Sequence, residues 1–318
     1  MRNKALVVGS VVYDEIFKIH GNIKNEISLE NGSIKAINLM FTARNRIRHF
    51  GGTAGNIAYG LGQAGEAPLV FSCVGEDFAP HYEEHLRSNG AIPRMYNAGP
   101  SYYTATFYGI SDEAGQQIGI FQPNAYGNFV NKVSLEESLD DKDFAEIKVA
   151  IFSPGTGAST LKHIQEVKEK TAGRALLILD PGQELSVSFD GGILDQVISM
   201  VDMVVVNEVE MDQLKGLHGL THEKIHQRGP KTIIETRGEQ GAVIFTPDGE
   251  IPIPAVEARR VVESIGAGDA FRAGLIKGLL NDWPLEEAAA LGAKLGSLSV
   301  AHRGGQGYSL RDEKDLSL

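Results

Sequence analysis

From Ile147 onward the chain repeats one unit: a short unbroken apolar run, a turn, then a stretch of helical length. The runs are Val149-Ala150-Ile151-Phe152, Ala175 to Leu179, and Met203-Val204-Val205-Val206. A helix is expected near Ser159 to Thr171 and another near Leu194. A strand that is apolar at every position has no solvent side, so both of its faces must be covered. Strands that alternate with helices are joined by crossovers, which makes them parallel. The fold class is therefore α/β, a central mostly parallel sheet flanked by helices. Crossovers of one hand bring the strand-end turns to one edge, where open sheets bind their ligands. Asp14, Asp180, Asn207 and Asp269 fall near that edge. Asp14 lies on the strand Val11 to Ile19, just past the first strand Ala5-Leu6-Val7-Val8 and its Gly9-Ser10 turn.

At 318 residues the chain can bury a large core, and it reads as a single domain over 1–318 with lid segments at about 13–48 and 98–125. In the lid, Asn31-Gly32 lies between two apolar runs and predicts a hairpin. Ser101 to Ile110 and Gln116 to Phe121 predict further strands. Such a sheet would exclude water from a crevice, and it could also pair between subunits, which leaves monomer and lid-mediated homodimer both open. The formal net charge of −11 argues against nucleic-acid or membrane partners, so any phosphate site must be local. The lone Cys73 excludes an internal disulfide and reads as a small buried hydrophobe. The N-terminal apolar run is broken by Gly9 and Ser10, which argues against a secretory signal. With no run of about 18 apolar residues, a cytoplasmic protein is expected.

The chain has 37 glycines, more than average, which suits a fold with many turns that bring backbone to a ligand. Gly266-Ala267-Gly268-Asp269 precedes the apolar-periodic run Phe271, Leu275, Ile276, Leu279, Leu280 and so opens a helix. Free N–H groups and the positive helix end suit a phosphate there. A carboxylate beside an anion site is explained if Asp269 takes the proton of an attacking alcohol. A helix-capping aspartate is the plainer alternative. Gly51-Gly52-Thr53-Ala54-Gly55-Asn56 lets backbone approach a ligand, with Asn56 offering donor and acceptor on the next helix. Asn207 and Glu210, three apart after their strand, could order the waters of Mg²⁺, or could simply form a capping box. Thr236-Arg237-Gly238, with Gly241, turns a strand into a hairpin where Arg237 could meet a phosphate oxygen or lie on the surface. Gly60-Leu61-Gly62-Gln63-Ala64-Gly65 matches the dinucleotide fingerprint only formally, because it closes a helix and precedes the strand Leu69 to Val74. No P-loop occurs.

Glu263-Ser264-Ile265-Gly266-Ala267-Gly268-Asp269-Ala270-Phe271 resembles the C-terminal signature of the ribokinase-like (PfkB) carbohydrate and nucleoside kinases, Asp-Thr-x-Gly-Ala-Gly-Asp-x-Phe. Gly51-Gly52 with Asn56 resembles the N-terminal one. The resemblance covers nearly the whole chain. It implies a ribokinase-like fold and an ATP-dependent kinase using Mg²⁺, with a small-molecule nucleoside or sugar as acceptor. It implies Asp269 as base beside an anion hole of Gly266, Ala267 and Gly268, with Asp14, Gly51, Gly52 and Asn56 holding the acceptor. It assigns Asn207 and Glu210 to water-bound Mg²⁺, and Asn207, Thr236, Arg237, Gly238 and Gly241 to the nucleotide. Glu263 departs from the family's Asp and puts its potassium loop in doubt. Asp180-Pro181-Gly182-Gln183, Ser72 to Phe78 and Ala301 to Gln306 resemble the bacterial and archaeal adenosine/nucleoside kinase branch. That resemblance points to adenosine, with a sugar or sugar phosphate as the alternative acceptor and a non-catalytic nucleoside-binding protein as the remote one. The lid aromatics Tyr102, Tyr103, Phe107, Tyr108 and Phe121 are candidates to stack on a base.

Overall fold

The computed structural model describes residues 3–26, 40–114 and 116–310. The expected Asn31-Gly32 hairpin and the C-terminal stretch from Arg311 lie outside the described residues. The described residues form a nine-stranded sheet in the order Gly249–Ile253, Ala242–Thr246, Thr232–Thr236, Met203–Asn207, Leu176–Leu179, Ile147–Phe152, Lys4–Val8, Leu69–Phe71, Ile92–Pro93. All neighbours are parallel from Ile92–Pro93 through Thr232–Thr236, and the last two strands fold back antiparallel. The continuous apolar runs are thus explained. Leu6, Val8, Leu177, Leu179, Val204 and Val206 enter one core, and Ala5, Val7, Val149, Ile151, Ile178 and Val205 enter the other. Helices Gly157–Lys170 and Gly191–Met200 cover the first core through Ile164, Val167, Leu194 and Val197. Helices Thr53–Gln63 and Ala267–Leu280 cover the second through Ile57, Leu61, Leu275 and Ile276. Ala267–Leu280 also packs closely on Leu285–Ser299, where a β-carbon on Gly274 would lie 2.7 Å from the Cα of Gly292.

The chain leaves the main sheet at Gly9-Ser10-Val11 and enters a four-stranded sheet ordered Ala43–Gly51, Val12–Ile19, Ala105–Ser111, Gln117–Gln122. Its outer pairs are antiparallel and its central pair is parallel. One face carries Asp14, whose register partners are His49 and Phe107, and Phe107 in turn faces Phe121. The opposite face carries Glu15, whose register partner across the parallel pair is Tyr108. Glu15 is buried there beneath Arg46 and Arg48, and its carboxyl is held below the usual range by the bonds from Arg46 and then Arg48.

Two expected elements change in detail. The run Leu69 to Val74 divides at Ser72, since Cys73–Val74 leaves the main sheet to pair with Tyr96–Asn97. The helix expected from Gly75 begins only at His81, after Pro80. Before it, the Asp77 side chain accepts from the Thr104 N–H (2.7 Å), which ties this turn to the chain just ahead of the strand Ala105–Ser111. Cys73 is buried, and burial pushes its thiol up to about 12. Among the described residues no helix is long and apolar enough to cross a membrane.

Candidate active site

Three pieces of chain distant in sequence meet at the strand-end edge: Gly51-Gly52 with the following helix, Gly266 with its helix, and the loop after Ser299. Gly266 takes φ +82° as the N-cap of Ala267–Leu280, and a β-carbon there would lie 2.5 Å from the Cα of Gly305. Gly305 also backs onto Asn56, within 2.4 Å of whose Nδ2 its own β-carbon would fall. Glycine at both positions lets the three backbones converge.

Asp269 stands in the first turn of that helix, half-buried, and its Oδ2 accepts from Asn56 Nδ2 at 2.8 Å. Burial pushes its carboxyl up to about 6, while Arg272 and the Asn56 bond pull the other way and Glu210 adds to the rise. The N–H groups of Gly268 and Asp269 lie ahead of the intrahelical ladder and point out of the helix end. The Ala267 N–H is already taken by the Ser264 carbonyl (3.2 Å), so this amide of the expected anion hole is engaged.

Asp14 is pushed up to about 6, by burial first and then by the Glu263 carboxylate. Gly51 makes room for it, since a β-carbon at 51 would fall 2.2 Å from Asp14 Oδ2. Gly52, at φ +82°, packs its α-carbon against the backbone of Ser10 and Val12. The Glu263 Oε2 accepts from the Gly304 N–H at 2.7 Å, so the longer carboxylate ties the 263 segment to the 304 loop. His49 lies beside Gly304. This side of the site thus presents two carboxylates and an imidazole. Of the five lid aromatics, only Phe107 and Phe121 share the face of Asp14. Tyr108 belongs to the opposite face, Tyr102 packs edge-on against Phe129 at 4.8 Å, and Tyr103 is exposed.

Asn207 and Glu210 form a reciprocal capping box, Asn207 Oδ1 accepting from the Glu210 N–H (2.8 Å) and Glu210 Oε2 from the Asn207 N–H (2.9 Å). The capping alternative is therefore realised. It also fixes a carboxylate whose charge is felt by Asp269, Asp180 and Arg272. Among the described residues no group of three or more His, Cys, Asp or Glu gathers to hold a metal directly. One oriented carboxylate at this strand edge fits Mg²⁺ that keeps its waters.

Thr236 ends its strand in register with Asn207. Gly238 (φ +52°) and Gly241 (φ +86°) shape the turn that follows. Arg237 does not reach into the open: its Nε donates to Glu235 Oε1 at 2.9 Å, and Glu235 also meets His222 at 2.8 Å. A buried glutamate two residues upstream is a stronger partner than solvent; the spacing puts both side chains on one face of an extended chain, but only the burial of Glu235 decides for the pair. Other residues of the site were also unforeseen. Arg272 is buried against Asp180, with Nη2 donating to Oδ1 at 2.6 Å and Nε 2.6 Å from Oδ2 but out of line with it. Gln306, Tyr82 and His85 form a polar cluster behind Asn56.

Residues 5–312 match the model of the pfkB family of carbohydrate kinases. The chain belongs to the PfkB family. A nucleoside kinase of Burkholderia thailandensis, solved in complex with inosine, is 30% identical to this PfkB protein, with 96% of this chain and 94% of that one covered and a TM-score of 0.78. A nucleoside kinase of Methanocaldococcus jannaschii is 26% identical over 305 residues, 95% of this chain and 92% of the relative. The adenosine kinase of Sinorhizobium meliloti, 20% identical with a TM-score of 0.71 over 96% of both chains, shares the fold. The ribokinase-like architecture expected from the two glycine signatures is the one observed. PfkB membership carries ATP as the phosphoryl donor, usually with Mg²⁺.

Proposed function

We propose that this PfkB kinase transfers the γ-phosphoryl group of ATP to the 5′-hydroxyl of a nucleoside, with adenosine, giving AMP, as the acceptor. The observation that carries the reading is Asp269. It is a carboxylate lifted to about 6 by burial, held by Asn56, in the first turn of a helix whose free amides face the same space. A base of that strength is ionised at neutral pH, yet basic enough to accept the hydroxyl proton as the new P–O bond forms and ADP departs. Gly268 and Asp269 N–H groups stabilise the charge on the transferring group. Asp14 and Asn56 orient the acceptor beside Gly51 and Gly52, and Phe107 and Phe121 supply apolar rings for a base. Glu210 with Asn207 holds the waters of Mg²⁺, whose charge offsets that of the phosphates. Thr236, Gly238 and Gly241 line the nucleotide side, and Arg237 contributes there only by leaving Glu235.

Likeness to the nucleoside kinases of B. thailandensis and M. jannaschii supports a nucleoside over a sugar. Two carboxylates, Asp14 and Glu263, on the acceptor side weigh against a phosphorylated sugar, which they would repel. Inosine is the second acceptor to test, given the B. thailandensis complex. Asp269→Asn should lower turnover by at least the roughly 10²- to 10⁴-fold that general base catalysis supplies. Turnover within tenfold of wild type would sink the assignment.

A further inference from the structure

The hydrogen bonds that reach Asp269 do not stop at Asn56. Asn56 Oδ1 accepts from Gln306 Nε2 at 3.1 Å, and the same Nε2 donates to the Tyr82 hydroxyl at 2.6 Å. That hydroxyl donates to the Gly51 carbonyl at 2.5 Å. Gln306 Oε1 lies 2.9 Å from His85 Nε2. His85 is stacked on Phe50, with ring centres 4.2 Å apart, and lies parallel to Tyr59 at 5.5 Å. Gln306 and Tyr82 are buried.

The donor directions along this chain are forced. A carbonyl only accepts, so Tyr82 must give its single proton to Gly51, and its oxygen is then left to accept. Gln306 must therefore turn its amide nitrogen toward Tyr82. That places its second N–H on Asn56 Oδ1 and its own Oε1 on the His85 N–H. With Oδ1 so engaged, Asn56 has only its amide nitrogen to offer Asp269. The chain runs between two fixed acceptors, the Gly51 carbonyl and the Asp269 carboxylate, and Gln306 sets its direction.

We propose that Gln306 is a positioning residue of the phosphoryl-transfer site: by donating at once to Tyr82 and Asn56 it locks the Asn56 amide with its N–H on the Asp269 carboxylate. The inference rests on reading Asp269 as the base. An N–H on a carboxylate favours the ionised form, and an amide turned the other way would set a carbonyl against it. Asp269 needs that help. Among the described residues Arg272, on the same helix, is the one cation that lowers it, while Glu210 on the Glu208–His218 helix raises it, and Asp180 beyond Leu179, itself pushed up to about 7 by burial first, is a further acidic neighbour. The hydroxyls of Tyr82 and Tyr308 feel the same carboxylate.

The test replaces Gln306 by Met, which keeps the length and removes the donors, and by Glu, which can only accept when ionised. Two quantities are followed: the midpoint of the Asp269 side-chain ¹³C resonance in ligand-free protein, assigned with Asp269→Asn, and the pH profile of kcat/KM. In Gln306→Met the midpoint should rise by about one pH unit, the loss of one hydrogen bond to a charged group, and in Gln306→Glu by more. Because Asp14 titrates on the same limb, kcat/KM at low pH should fall about tenfold below wild type as the Asp269 ionisation moves, and the Met variant should return to within about threefold of wild type at high pH, where the carboxylate ionises unaided. A folded Gln306→Met with an unmoved midpoint, or with a loss equal at every pH, overturns the proposal. If that variant does not fold, Tyr82→Phe decides: it frees Gln306 from its anchor and should raise the midpoint in the same direction, and an unmoved midpoint there is equally fatal. Should Asp269→Asn keep its turnover, the base assignment falls, while the resonance midpoint still judges the hydrogen-bond chain.

Discussion

Replacing Gly51 by alanine should damage acceptor use without damaging the fold. Gly51 ends a strand, and its φ is outside the left-handed region, so alanine meets no backbone penalty there. The added β-carbon would fall 2.2 Å from Asp14 Oδ2 and 3.0 Å from its Cγ, against an ordinary contact that begins at 3.4 Å. The carboxylate oxygen must therefore retreat by about 1.2 Å, and a misplacement of about 1 Å in a positioned group is worth roughly 10²-fold in rate. Only the end of a short side chain has to move, so Tm should stay within about 3 °C of wild type. The assay is coupled ADP release at saturating ATP with varied nucleoside. The expectation is a kcat/KM for the acceptor lower by roughly 10²-fold with the KM for ATP unchanged. Gly52→Ala is the contrasting control. Its β-carbon would meet backbone at 2.6 and 2.7 Å with φ at +82°, so that variant should lose stability as well. Acceptor kcat/KM within threefold of wild type in a folded Gly51→Ala protein would refute the role given to Asp14. A Tm collapse in Gly51→Ala would show that the glycine serves the fold instead.

Asp269 and Asp14 are both raised to about 6 and both must be ionised to work, so activity is present above that pH and lost as pH falls through it. Below pH 5 the kcat/KM profile should approach a slope of two, and Asp14→Asn should reduce the slope to one; a slope of one in wild type would remove one carboxylate from the account. Arg272→Met leaves Asp180 buried without its partner and should cost about 3–5 kcal/mol in urea unfolding, while Arg272→Met with Asp180→Leu should recover more than half of the loss. Equal losses in the single and double variants would show that the pair does not act as a pair.

How much of this was legible in the sequence follows from how local each signal is. Unbroken apolar strands such as Met203-Val204-Val205-Val206 have one physical solution, a sheet covered on both faces, and the strand-end turns carrying Asn207 and Thr236 follow from it. The four residues Gly266 to Asp269 announced a helix start by composition alone. The strand Ala43–Gly51 was not legible, because its sequence Ala-Arg-Asn-Arg-Ile-Arg-His-Phe-Gly shows no apolar alternation; Arg46 and Arg48 are placed by the buried Glu15 of the neighbouring strand. The network behind Asn56 was equally hidden. Gln306 reaches Asn56 across 250 positions and Tyr82 across 224, and no periodicity reports on contacts of that separation. Arg237 read as free for phosphate because Glu235, two residues back, looks like an ordinary strand residue until its burial is known. Of the two readings the Asn207–Glu210 pair carried, capping was the one its residues alone favoured, and it is the one its side chains make in this structure.

The most direct test of the account is ADP release from Mg·ATP by the purified protein against adenosine, inosine, cytidine, ribose, fructose and fructose 6-phosphate, with and without potassium and with Asp269→Asn as the blank. Turnover on a purine nucleoside, adenosine first, that vanishes in Asp269→Asn is the predicted result. Turnover confined to a free or phosphorylated sugar, or none on any acceptor, would contradict it.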